Sequence, residues 1–187
     1  MPTVNDANGT PVIVTPGGKA RTYTITESEE HHANESDGLA FTWQFSDDAD
    51  ANDDCIFYIK NTDSLELMLE GIDLYVTSDA EVYLKVGGTG TTAAGTAVTG
   101  TNLNPGKSGN DADVTAIHDG DIEAGGSFTG AIECNRYKYT EGTTYDTHHI
   151  NFPMDIVITK NQVFSIWCSA AGVVIIATLY GYFHAEL

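Results

Sequence analysis

The strongest constraint on this chain is a period of two in its apolar residues. In "EVYLKVG", Val82, Leu84 and Val86 fall on one side and Glu81, Tyr83 and Lys85 on the other. In "LAFTWQF", Leu39, Phe41, Trp43 and Phe45 share a side. Successive side chains of a strand point to opposite faces, so each segment offers one face to a core and one to water. "CIFYIKN" is a continuous apolar run, and "LELML", "IDLYVTS", "ADVTAIH", "SFTGAIECNRYKY" and "HINFPMDIVIT" follow as further strand candidates between Gly, Asn and Asp turns. No segment sustains a helical period with caps at its ends. Without crossover helices a parallel α/β fold is excluded, and the pattern predicts an all-β, antiparallel sandwich or closed barrel.

Val163 to Phe183, "VFSIWCSAAGVVIIATLYGYF", contains no charged residue and is long enough for a helix to span a bilayer. Its β-branched and aromatic content favours strands, "SAAG" interrupts it with a turn, and no basic flank marks a cytoplasmic side. Two buried antiparallel strands are the expectation, with no membrane span.

Residues 1–37 have a different character. "NDANGTP", "TPGGK" and "TESEEHHANESDG" are polar and turn-rich, broken by the short strand candidates "PVIVT" and "ARTYTIT". The expected organisation is an extended arm over residues 1–37 and a β-domain over residues 38–187. Between them in character lies Val86–Asn110, rich in Gly and Thr, which reads either as a long loop or as two small-residue strands.

That segment contains "GKS", the ending of a nucleotide-binding loop. Gly100 and Gly106 are separated by five residues, one more than G-x-x-x-x-G-K-[ST] allows. Pro105 lacks an N–H where a phosphate donor is wanted, and neither a buried strand before nor a helix after supports the motif. The stretch reads as a turn, with Lys107 in solvent.

The 8 basic residues against 27 acidic ones give a formal charge of −19. Such a chain has little with which to neutralise phosphates, which argues against nucleic acid and against an anionic membrane surface. Cys55, Cys134 and Cys168 form no C-x-x-C unit and read as buried, reduced thiols of a protein folded in a cytoplasm, in keeping with an N-terminus that shows no secretory signal.

Asp48, Asp50 and Asn52 in "SDDADANDD" reproduce the start of a calcium loop, but the later positions, Asp53 and Ile59, do not. They remain the calcium candidates, against a solvated acidic loop as the plainer reading; no other cofactor is expected. Glu30, His32, Asp146 and His148 have zinc-ligand chemistry, with surface histidines as the plainer reading. Tyr137, Tyr139, Tyr145 and Trp43 have the chemistry of a sugar platform, with ordinary strand composition as the plainer reading. No nucleophile motif or metalloprotease motif is present, and the chain reads as non-enzymatic.

"GTAVTGTNLNPGKSGNDADVTAIHDGD" resembles a stretch of jelly-roll structural proteins in the heads and tails of tailed bacteriophages. Asn102, Leu103 and Asn104 match its N-L-N element, and Asn110 and Ala112 match later positions. The turn Thr159–Gln162 followed by two apolar strands is similar to the ending of the same class. The resemblance implies a jelly-roll sandwich with an extended arm. It further implies a decoration or cement protein on the capsid exterior, assembled in the host cytoplasm, with the major capsid protein as partner and a trimer as the assembly. Clamping then falls to the arm, with Val12, Ile13, Val14, Tyr23 and Ile25 as apolar anchors. The alternative is a fibre or receptor-binding module that recognises a host glycan.

Overall fold

A computed structural model describes residues 4–5, 11–12, 31, 33–90, 92, 95–107, 109–118, 122, 128–140 and 147–184. The main strands are β3 (Ala40–Asp48), β4 (Asp54–Asn61), β5 (Glu66–Val76), β6 (Ala80–Val86), β9 (Val114–His118), β10 (Ile132–Tyr139), β11 (His148–Ile158), β12 (Val163–Cys168) and β13 (Val174–His184). Four two-residue strands complete the set: β1 (Val4–Asn5), β2 (Pro11–Val12), β7 (Thr96–Ala97) and β8 (Thr101–Asn102). They form a six-stranded sheet of order β10-β6-β12-β4-β9-β7, a five-stranded sheet of order β11-β5-β13-β3-β8, and a separate β1-β2 pair. Every pairing between named strands is antiparallel. The two large sheets pack face to face as a sandwich, as the alternation predicts.

The inward faces are those read from the sequence. Phe41, Trp43 and Phe45 of β3 are buried while Gln44, Ser46 and Asp48 are exposed. Val82 and Leu84 of β6 join the same core, and Phe45 stacks on Phe57 of the opposite sheet at 4.5 Å. The charge-free run divides into β12 and β13, but these do not pair with each other. β12 lies between β6 and β4, and β13 between β5 and β3, so "SAAG" belongs to a crossover from one sheet to the other rather than a hairpin. A strand with neighbours on both sides and a core on one face tolerates little charge, which explains the composition.

One strand assignment changes, and one open alternative is decided. "LELML" and "IDLYVTS" form the single strand β5: a register shift at Tyr180/Gly181 leaves Glu70 as an extra residue, so the break in the pattern is a bulge and not a turn. The Gly/Thr-rich segment carries the small-residue strands β7 and β8, one on the edge of each sheet.

Asn61 ties the β11–β12 turn to the domain. It is fully buried, and its Nδ2 donates to the carbonyls of Ile158 and Leu65 at 2.8 and 2.7 Å. Its main chain bonds Asn161 and Gln162 on the far side of the turn. Replacing Asn61 with Ala strands two carbonyls inside the protein. A stability loss of about 2–4 kcal/mol is expected, read as a lower midpoint in urea unfolding with an unchanged slope.

Candidate functional site

The N-L-N element sits at the end of β8. Asn102 and Asn104 are two apart, the spacing that places side chains on the same side of an extended chain. Asn102 Nδ2 donates to the Gly38 carbonyl at 2.7 Å, and Asn104 Nδ2 to the Asn34 carbonyl at 2.7 Å. Asn110 Nδ2 donates to the Asp37 carbonyl at 2.8 Å. These asparagines clasp the segment that leads into β3. Gly38 has a φ of 65°, and a Cβ there would lie 2.2 Å from Lys107 Cβ, so the clasp requires glycine. The segment includes a single helical turn, Ala33–Asp37. Ala33 is buried with Ala40 and Tyr182 on the outer face of the five-stranded sheet. The last five residues of the expected arm are therefore docked on the domain.

The same bonds account for "GKS". The Gly106 N–H is donated to Asn104 Oδ1 at 3.0 Å and the Lys107 N–H to the Asn104 carbonyl at 2.9 Å. The amides a phosphate would need are used inside the turn, and Lys107 is exposed, as expected. Gly100 admits a close approach: a Cβ there would meet Trp43 Nε1 at 2.8 Å.

The tyrosine platform is redrawn. Trp43 is 0% exposed and belongs to the core, because its strand position shares the inward face with Phe41 and Phe45. It cannot stack on a ligand. Tyr145 lies outside the described residues. Tyr137 and Tyr139 are half-buried and line an open cleft of about 250 Å³ with Lys138, Thr140, His148, His149 and Ile150. The cleft lies where β10 and β11, one from an edge of each sheet, come together. Burial pushes the Tyr139 hydroxyl up to about 12, and the Tyr137 hydroxyl accepts from Asn135 Nδ2 at 2.7 Å.

His148 and His149 diverge, as neighbours on a strand must. His148 meets the edge of the Tyr139 ring at 5.5 Å. His149 lies opposite Asp73 of β5, with its Nδ1 2.6 Å from Asp73 Oδ1 and its Nε2 2.8 Å from Asn151 Oδ1. The second Asp73 oxygen accepts the Tyr180 hydroxyl at 2.5 Å. This Tyr180–Asp73–His149–Asn151 chain was not apparent in the sequence. Its residues are far apart in the chain, and only the β11-β5-β13 register brings them together.

Both ring nitrogens of His149 face oxygen acceptors, an arrangement that suits the imidazolium, in which both donate. The Asp73 and Asn151 contacts raise its pKa. The Tyr180 and His149 hydrogen bonds lower that of Asp73.

For calcium, Asn52 Oδ1 already accepts the Ala171 N–H at 3.1 Å and Asp50 contributes its amide to Asp54 Oδ2 at 2.6 Å. Asp48 is exposed at the end of β3. Among the described residues no group of three or more His, Cys, Asp or Glu is placed to hold a metal ion. Glu30, His32 and Asp146 lie outside the described residues, as do Ile13, Val14, Tyr23 and Ile25. Of the arm anchors only Val12 is described, in β2, opposite Val4. Cys55 and Cys168 are buried thiols, whereas Cys134 is exposed. No helix among the described residues is long and apolar enough to cross a membrane.

Comparison with protein-family models, curated proteins and solved structures finds no match to this chain.

Two outcomes test the site. Replacing Asn102 with Ala should leave the core intact and release the segment 33–38. Amide exchange at Leu39, whose N–H bonds the Ala33 carbonyl, should accelerate at least tenfold while exchange in β12 stays unchanged. For His149, a raised folded pKa means a stabilising contribution complete below the unfolded value of about 6.5. It is lost as pH rises through the folded value. Asp73 contributes in the opposite sense, fully above about 3.9 and lost as pH falls through its lowered value. Asp73→Asn should therefore lower the His149 titration midpoint in NMR. It should also cost most stability near pH 5–6, with the deficit narrowing in alkaline buffer.

Proposed function

We propose that the chain is a non-enzymatic virion structural protein that decorates a phage capsid and bridges neighbouring capsid subunits. The observation that carries this reading is the nesting of the strands. Taking β3, β4, β5, β6, β10, β11, β12 and β13 in chain order, the path starts in one sheet and alternates, except that β6 and β10 are neighbours. The last two strands insert between the first four, giving β11-β5-β13-β3 facing β10-β6-β12-β4. That order supports reading the sandwich as a jelly roll, an architecture used by viral capsid proteins and by lectins. β7, β8 and β9 are then an insertion between the sixth and tenth strands.

The resemblance of the Asn102–Asn110 stretch to phage structural proteins points the same way. So does a clasp that gives the preceding arm a fixed point of departure. An arm pulled by a partner would load the Asn102–Asn110 turn and spare the core, a sound arrangement for strand addition to a neighbouring subunit. The strongly acidic composition suits an outward-facing surface, and a closed trimer suits a three-fold or quasi-three-fold position on a shell.

Co-sedimentation with shells of the capsid protein encoded in the same genome tests this reading. The full chain should saturate the shells and run in solution at three times its 20.0 kDa mass. A form lacking residues 1–30, which keeps the clasped segment, should stay folded and lose at least tenfold in binding. Failure of the full chain to sediment with shells would sink the proposal. Full binding by the truncated form would remove the arm from it.

A further inference from the structure

A second cleft opens on the outer face of the six-stranded sheet, with a volume of about 320 Å³. Tyr58, Phe128 and Val163 are buried beneath it, and Lys60, Thr89, Asn161 and Gln162 stand around it. Its walls are fixed by main-chain bonds. Thr89 and Thr129 exchange hydrogen bonds of 2.9 and 3.0 Å, which holds the Phe128 segment against the loop after β6. Tyr58 meets Phe128 edge-on at 5.3 Å. On the other side, Asn161 is held at a φ of 66° in a turn locked to Asn61.

Among the described residues, the polar side chains of this cleft have no hydrogen-bond or ion-pair partner. Lys85, the other half-buried lysine among the described residues, lies 3.6 Å from the centre of the Trp167 ring, and Arg136 bonds Glu81 and Glu133. Lys60 is half-buried with no ion pair or hydrogen bond among the described residues, in a chain with 27 acidic side chains. A ligand anion in the cleft would give this ammonium a counter-charge. The Tyr58 and Thr89 hydroxyls and the Asn161 and Gln162 amides are equally without side-chain partners among the described residues. Each of these neutral groups donates and accepts, the pattern that recognises hydroxyl groups. Phe128 and Val163 supply an apolar floor for a C–H face.

We propose that this cleft binds a carboxylate-bearing sugar unit, with Lys60 on the carboxylate and Tyr58, Thr89, Asn161 and Gln162 on the hydroxyls. The site lies apart from the asparagine clasp and does not depend on the capsid-bridging role.

The test is a titration of the isotope-labelled full chain with D-glucuronate, with D-glucose and acetate as companions. Glucuronate should move the amides of Gly88, Thr89, Asn161 and Gln162 saturably, with a Kd on the order of 1 mM. Glucose and acetate should each bind at least tenfold more weakly. Lys60→Met should lose at least tenfold in glucuronate affinity. Asn161→Gly, which keeps the left-handed turn, should weaken it severalfold with an otherwise unchanged spectrum. No saturable shift at these amides, or unchanged affinity in both variants, would overturn the proposal. Acetate binding as tightly as glucuronate would overturn its sugar component. Loss of shell binding with glucuronate binding retained would separate this site from the bridging role.

Discussion

The sandwich depends on one packing constraint: β12 and β13 are consecutive in the chain yet central in opposite sheets. Phe164 and Ile166 from one, and Ile175, Ala177, Leu179 and Phe183 from the other, enter a common core. The five-residue passage between Cys168 and Val174 must cross the full thickness of the sandwich, about 10 Å. It is held against the loop after β3 by Ala49, which accepts from Gly172 and donates to the Val173 carbonyl, and by Asn52, which accepts from Ala171. The acidic loop thus has a structural task, to pin the crossover on which both sheets are threaded.

Polar fastening is assigned mainly to neutral amides. Asn61 secures the β11–β12 turn, and Asn102, Asn104 and Asn110 secure the entry to β3. An amide donates and accepts without carrying charge, so it satisfies main-chain carbonyls without adding to the self-repulsion of a chain with a formal charge of −19. The carboxylate at Asp73 is an exception that draws on both a hydroxyl and an imidazole to hold its charge.

The strand faces were legible because a two-residue period survives any tertiary arrangement: Phe41, Trp43, Phe45, Val82 and Leu84 all face inward as read. The turn character of "NPGK" was legible for the same local reason, since Pro105 and Gly106 restrict the backbone where they stand. Trp43 was misjudged as a ligand platform because alternation tells which residues share a face, not which face is covered. Leu67 to Leu74 was split in two because a bulge and a turn disturb the pattern alike.

The chain by itself determined an all-β fold, which residues of each strand share a face, and the exclusion of a nucleotide loop, all of which follow from local stereochemistry and side-chain period. Only the tertiary structure decided the order of strands within each sheet, and with it the contacts that order creates. Asp73 meets His149 and Tyr180, Asn102 meets Gly38, and Lys60 shares a cleft with Thr89, Asn161 and Gln162. These partners are separated by loops of unequal length, and their meeting depends on inter-strand register. Register is set by how both faces of the sandwich fill, a property of the whole core that no single segment carries.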